Sequence, residues 1–172
     1  MARQLSRPVA GLHQPGPDNT PRLRLKPKAP VSGHVDGAWW PRSDNLADEL
    51  PDLLAVLSVR LGEIERVMYN LAEWARVPRR LSTGGRSVRL DGYQRHPVNT
   101  MEVQGVDRRK ILLLVVPPDT EPELAHTAMM TAAAPDNGSS TGDMLGTATV
   151  GQERPTASYR PAFHRSIRRF QS

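Results

Sequence analysis

The sequence predicts an α+β fold: a single, curved, mostly antiparallel sheet of about six to seven strands, two helices and disordered ends. Short segments rich in β-branched and aromatic residues outnumber the segments with helical periodicity. The predicted elements follow one another as β-β-α-β-β-β-β-β-α, an order typical of α+β folds with their helices collected on one side of the sheet. Because 172 residues suffice for one domain, we expect disordered residues 1–20, a domain over 21–147 and a disordered basic tail over 148–172.

The first half of the domain shows two short strands and one long helix. Residues 22–26 alternate between charged and apolar side chains, and residues 34–40 form a second strand that Pro41 ends. Ser43 or Asp44 can cap the helix, Gly62 ends it, and Pro51 predicts a kink or two abutting helical pieces. One apolar stripe runs along this helix: Leu46, Leu50, Leu53, Leu54, Leu57 and Leu61.

The second half is predicted as strands followed by a helix. Residues 63–71 form a strand, Gly84-Gly85 turns one hairpin, and residues 106–109 turn another. A second helix over about 121–134 would take Thr120 as its cap. The following residues, up to about 160, are polar and mostly disordered by composition, with Met144 and Leu145 as candidates for local docking.

One strand, Ile111 to Val116, is apolar on both faces and must be covered twice. A single helix layer supplies one cover. We expect the other from curvature of the sheet toward a barrel, from a docked loop or from a second subunit.

Composition excludes several chemistries. The chain has no Cys, which excludes disulfides, thiolate metal sites and a Cys nucleophile. The five histidines are scattered without metal-binding spacing, so we expect neither a metal nor another cofactor. No apolar run approaches the ~20 residues that span a bilayer, and no signal-peptide pattern is present. We therefore expect a cytoplasmic protein.

Charge is unevenly distributed along the chain, whose net charge is +5. Residues 36–74 hold three Arg against eight acids, whereas residues 76–95 hold six Arg against Asp91 alone. Such polarisation suits an acidic partner on one side, or simply charged strands in solvent.

The most conspicuous motif is the pair Trp39-Trp40 in "GHVDGAWWPRS". Neighbouring side chains of a strand point to opposite faces, so only one Trp can join the core beneath the helix. The structural interpretation is that one ring fills the core and the other covers the far side of the sheet. The functional interpretation is that one ring contributes to a ligand or partner surface, whose candidate residues are His34, Asp36, Trp39, Trp40, Arg42, Tyr69 and Trp74.

Within that surface Asp36 and His34 share a strand face, as an acid and a base would in catalysis, or as polar residues in solvent would. Asp36 could equally bond a backbone amide or Arg42. Gly37 marks a bulge or a close approach of two backbones. We assign no catalytic residue.

Arginines form a second candidate surface, for nucleic acid or an acidic partner: Arg79, Arg80, Arg86, Arg89, Arg165, Arg168 and Arg169. The last three lie in a tail in which Phe163, Ile167 and Phe170 have the spacing of a short amphipathic helix. A solvated, flexible tail is the alternative. No aromatic residues are interleaved with the strand arginines as they are in RNA-binding sheets.

Four strings carry a family resemblance: "GHVDGAWWPRSDNLADELPDLL", "RVMYNLAEW", "GGRSVRLDGY" and "LLLVVPPDT". Together they resemble an uncharacterised actinobacterial family of small proteins of unknown function, over roughly residues 22–134. The motif "DGAWWPRS" with a downstream "ELP" is its most specific part. The resemblance implies a bacterial, intracellular, single-domain protein and carries over no site.

Three functions follow from these observations. The first is a non-enzymatic interaction module with a protein partner or a second copy of the chain. The second is a small-ligand-binding protein or enzyme with a pocket near the Trp39/Trp40 corner. The third is a basic nucleic-acid accessory protein.

Overall fold

The computed structural model describes residues 17–28 and 33–149. It contains seven strands, three α-helices and a short 3₁₀ helix over Leu71–Glu73. In chain order the α-helices and strands are β1 Leu23–Leu25, β2 Gly37–Trp39, α1 Leu46–Leu61, β3 Ile64–Asn70, β4 Arg80–Thr83, β5 Arg86–Tyr93, β6 Thr100–Gly105, β7 Lys110–Val115, α2 Pro122–Ala132 and α3 Thr141–Thr149.

The strands form one open sheet in the order β1-β2-β7-β6-β3-β5-β4. The prediction of a mostly antiparallel sheet is wrong, because β2 pairs with β7 and β3 with β5 in parallel. The predicted hairpins are both present, as β4–β5 and β6–β7. The parallel pairs arise because β5 returns between β3 and β4, and because β7 lies beside the early strand β2.

One face of the sheet packs on α1. The predicted leucine stripe of that helix is buried against the sheet, where it meets Val67, Leu90, Val103 and Leu113 from four neighbouring strands. Gly62 ends the helix as predicted, with φ 70°, and its N–H donates to the Ser58 carbonyl.

The opposite face is covered at one end by α2 and α3. Leu114 of β7 and Val116, which directly follows β7, pack there with Ala125, Ala128 and Met129. The expectation that the helices share one side is therefore wrong, and helices rather than barrel curvature, a loop or a second subunit provide the second cover. Beyond that cover, the same face of β6, β3, β5 and β4 carries mainly polar side chains, among them Glu102, Arg66, Asp91 and Arg80.

Helix details differ from the predictions in three ways. Pro51 lies inside one continuous helix, so the alternative of two abutting helical pieces is wrong; the missing N–H costs a single hydrogen bond in the second turn. Asn45 and Glu121 occupy the N-cap positions, where Ser43 or Asp44 and Thr120 were expected. Residues predicted as mostly disordered form α3, and Met144, a predicted docking residue, is buried.

Candidate functional site

Trp39 belongs to the main core. Its side chain is 1% exposed and stacks on Trp74, with ring centroids 5.7 Å apart and planes inclined by 18°. The prediction that one ring of the pair fills the core beneath the helix is confirmed. Trp39 therefore offers no surface for recognition.

Trp40 lies on the other side of the sheet, as the alternation predicts, and packs against the α2–α3 cluster. Its Nε1 donates to the Pro117 carbonyl at 3.1 Å. The Arg22 guanidinium covers the ring at 3.5 Å from its centroid and donates to the carbonyls of Trp40 and Pro41. These contacts join Trp40 and Pro41, which lie between β2 and α1, to Arg22 just before β1 and to Pro117 after β7.

Asp36 has a structural role in the sheet. Its carboxylate accepts from the Leu112 N–H at 2.8 Å, and its own N–H donates to the Leu112 carbonyl at 2.7 Å. His34 is exposed, and among the described residues no hydrogen bond joins it to Asp36. At Gly37, a Cβ would lie 2.2 Å from the Arg24 carbonyl, which confirms the expected close approach of two backbones.

The seven residues of the first candidate surface do not form one surface, although Trp39 and Trp74 stack on each other. Arg42 is exposed and donates to the Thr20 carbonyl. Tyr69 is buried on the α1 face, where burial, followed by the charge of Asp91, raises the pKa of its phenol. Trp74 lines a different cavity from Tyr69.

The cavity beside Trp74 contains a residue that the sequence did not single out. It has a volume of about 260 Å³ and is lined by Glu73, Asn99, Val115 and the Pro117-Pro118 segment, among others. Glu73 Oε1 accepts from the Asn99 N–H, while Glu73 Oε2 and Trp74 Nε1 are buried with no hydrogen-bond partner in the described chain. Burial raises the pKa of the Glu73 carboxyl, and the bond from Asn99 partly opposes that shift. No local pattern signals this site, because its members come from four segments that meet only in the fold.

The second candidate surface is partly assembled. Arg79, Arg80 and Arg89 line a cleft of about 530 Å³ at the β4–β5 edge of the sheet. Arg86 instead pairs with Glu63. The tail arginines Arg165, Arg168 and Arg169, and the predicted tail helix, lie outside the described residues.

The charge of this cleft is mostly unneutralised. Asp91 is the acid in its lining, and Asp91 already pairs with Arg66 and lies 3.6 Å from Arg89. Arg66 Nε donates a hydrogen bond to the Asp91 carboxylate, and this bond raises the pKa of the Arg66 guanidinium. Arg79 and Arg80 are exposed, and within the described chain neither forms an ion pair.

The end of β5 has no partner strand on the side of the cleft within the described chain. The ladder between β4 and β5 runs from Arg86 to Arg89, and one further bond joins the Leu90 N–H to the Arg79 carbonyl. β5 continues to Tyr93, but within the described chain no strand lies beside its last three residues on that side. Backbone groups alternate in direction along a strand, so the N–H and C=O of Gly92 point the same way as those of Leu90, into the cleft.

In residues 17–28 and 33–149, no group of three or more His, Cys, Asp or Glu could hold a metal ion. In the same part of the chain, no helix is long and apolar enough to cross a membrane.

The model of a family of unknown function, DUF5994, matches residues 22–132, which is well over half of the 172 residues. Neither the curated proteins nor the solved structures contain a match to this chain. The chain therefore belongs to the family of unknown function DUF5994.

Proposed function

We propose that this protein is a non-enzymatic interaction module that binds an acidic partner protein at the β4–β5 edge. The observation that carries the proposal is a cleft that is lined by Arg79, Arg80 and Arg89 and by a single acid, which is already paired. Charge complementarity of this kind steers a partner to a surface and fixes its orientation. The cleft also contains apolar walls from Leu71 and Val77, which a partner can bury.

An acidic protein fits the cleft better than nucleic acid does. Single-stranded nucleic acids bind strongly where aromatic rings offer faces for stacking bases. Tyr93 is the exposed aromatic residue in the lining, and its hydroxyl accepts from Arg66 at 2.5 Å. Guanidinium groups match carboxylates through paired hydrogen bonds, which needs no stacking platform.

The proposal is tested with poly-L-glutamate as an acidic probe, measured by isothermal titration calorimetry at low salt. We expect binding that weakens as salt is added, because exposed charges are screened. The triple variant Arg79→Gln, Arg80→Gln, Arg89→Gln should bind less tightly by about 0.6–3 kcal/mol, or roughly 3- to 150-fold, at about 0.2–1 kcal/mol for each exposed pair.

A matched control removes the same three charges elsewhere, as Arg24→Gln, Lys28→Gln and Arg108→Gln, all at exposed positions. It should bind like the wild type. Equal losses in both variants would show a response to net charge alone and reject the site. A single-stranded oligonucleotide that binds more tightly than poly-L-glutamate would favour the nucleic-acid function instead.

Small-ligand binding is a second candidate, favoured by the cavity beside Trp74 and its two unpartnered polar atoms. The lining includes Asp44, Glu73 and Asp119, so a small cation is the matching ligand class. Titration with a series of small primary amines, followed by Trp fluorescence, should give a saturable change that the Glu73→Gln variant lacks. Unchanged fluorescence with every amine would reject this candidate.

The cellular setting and domain limits are further parts of the proposal. The resemblance of the tryptophan motif supports an actinobacterial, cytoplasmic protein, and the family match over residues 22–132 supports one folded domain at 21–147. Limited proteolysis should confine early cleavage to 1–20 and 148–172. Early cuts between α1 and β7 would contradict these limits.

A further inference from the structure

The β4–β5 edge offers a position for one more extended segment. β4 and β5 run antiparallel, with Arg80 opposite Arg89 and Arg79 opposite Leu90. Continuing that register would place Pro78 opposite Asp91 and Val77 opposite Gly92. β4 begins only at Arg80, and Val77 packs against the core cluster. The place that β4 would occupy beside Gly92 is therefore left to the cleft.

The two sides of that position differ in chemistry. Side chains alternate along a strand, so the residue of an added segment opposite Gly92 would point to the α1 side. There it would meet the cleft walls formed by Tyr69, Leu71 and Val77. Its two neighbours would point to the other face, on the side of Arg80 and Arg89.

The side chains of Leu71 and Tyr69 pack closely over Gly92. A Cβ at Gly92 would lie 2.7 Å from Leu71 Cδ1 and 3.0 Å from the Tyr69 ring. The backbone can therefore approach these side chains closely only because residue 92 has no side chain. Its outward N–H and C=O supply one donor and one acceptor to a partner backbone.

We propose that the acidic partner presents an extended segment of alternating acidic and apolar residues, which adds to the sheet as a strand beside Gly92. This inference rests on the proposed function and specifies its binding mode. The apolar side chain fills the space by Tyr69, Leu71 and Val77, while the acidic ones face Arg80 and Arg89. Backbone bonds provide affinity and alternate side chains provide specificity, as in other strand additions.

The test uses three fluorescein-labelled nonapeptides, followed by fluorescence anisotropy. The first alternates Glu and Val, the second has the same composition with all Glu before all Val, and the third is the alternating peptide N-methylated at every Val. We expect the alternating peptide to bind most tightly. The N-methylated peptide should bind about 5- to 100-fold more weakly, because it loses the hydrogen bond to Gly92 and the register around it.

A variant of the protein tests the same position without a change in the peptide. Gly92→Ala crowds the cleft walls formed by Leu71 and Tyr69, so it should weaken the alternating peptide by at least fivefold. A circular dichroism spectrum and unfolding midpoint like those of the wild type would show that the variant is folded. The peptide comparison does not depend on that variant.

The outcomes separate the binding mode from the proposed function. Equal binding of all three peptides, together with poly-L-glutamate binding, overturns the strand addition and leaves the acidic-partner function standing. Loss of poly-L-glutamate binding rejects both. Concentration-dependent dimerisation in light scattering that Gly92→Ala abolishes would also overturn the proposal, because a second copy would then occupy the edge.

Discussion

Replacing Leu114 by Ala tests whether α2 and α3 cover the second face of the central strand. Leu113 and Leu114 are both 0% exposed, yet they point to opposite faces, Leu113 toward α1 and Leu114 toward α2 and α3. A buried Leu→Ala change costs about 2–5 kcal/mol through lost burial and the cavity left behind. Both single variants should therefore lose free energy of unfolding in that range.

The assay is urea unfolding followed by Trp fluorescence, with Leu113→Ala as the matched control on the established α1 side. A loss of about 2–5 kcal/mol corresponds to a fall of roughly 4–20 °C in Tm for a chain of this size. Surface substitutions usually change stability by about 0.5 kcal/mol or less. If Leu114→Ala falls in that small range while Leu113→Ala is strongly destabilised, the α2–α3 cover is refuted.

Three further changes test individual contacts. Asp36→Ala should cost about 1–3 kcal/mol of unfolding free energy, because the Leu112 N–H loses its acceptor, while Asp36→Asn should cost less; equal losses would contradict this role. Trp40→Phe should cost about 0.5–1.5 kcal/mol in the same urea assay for the bond to the Pro117 carbonyl, and no loss would show that the bond is unimportant. Because the pKa of Glu73 is raised in the fold, wild-type stability should fall as pH rises from the carboxyl's ordinary pKa through its raised one; Glu73→Gln should lack that fall, and parallel profiles would reject the assignment.

Local patterns predicted most of the elements because each one depends on neighbouring residues. Strand alternation placed Trp39 and Trp40 on opposite faces, the leucine stripe predicted α1, and Gly84-Gly85 predicted a hairpin whose two glycines have φ 57° and 75°. The apolar run at Ile111–Val116 correctly indicated that both faces of that strand are covered.

Strand order and late helices could not be predicted in the same way. Nothing local shows that β5 lies between β3 and β4, since that order is set by which faces become buried together. α3 contains Gly142, Gly146 and several Thr, which are poor helix formers, and it is held instead by packing against α2.

The candidate site was also predicted only in part. The run of arginines at 76–95 predicted a basic surface, and the cleft contains three of them. The sequence could not show that Arg86 is paired with Glu63, or that the edge of β5 is open at Gly92. Glu73 and Asn99 also went unpredicted, because their contact joins residues far apart in the chain.

Amide hydrogen exchange at Gly92, measured by NMR with and without the alternating Glu-Val peptide, tests the central claim most directly. We predict that the Gly92 amide exchanges rapidly in the free protein, since it points out of the sheet edge, and that it is protected when the peptide binds. The neighbouring amide of Leu90, which is bonded to Arg79, should be protected in both states and serves as the internal reference. A Gly92 amide already protected in the free protein, or unchanged by saturating peptide, would contradict strand addition at this edge.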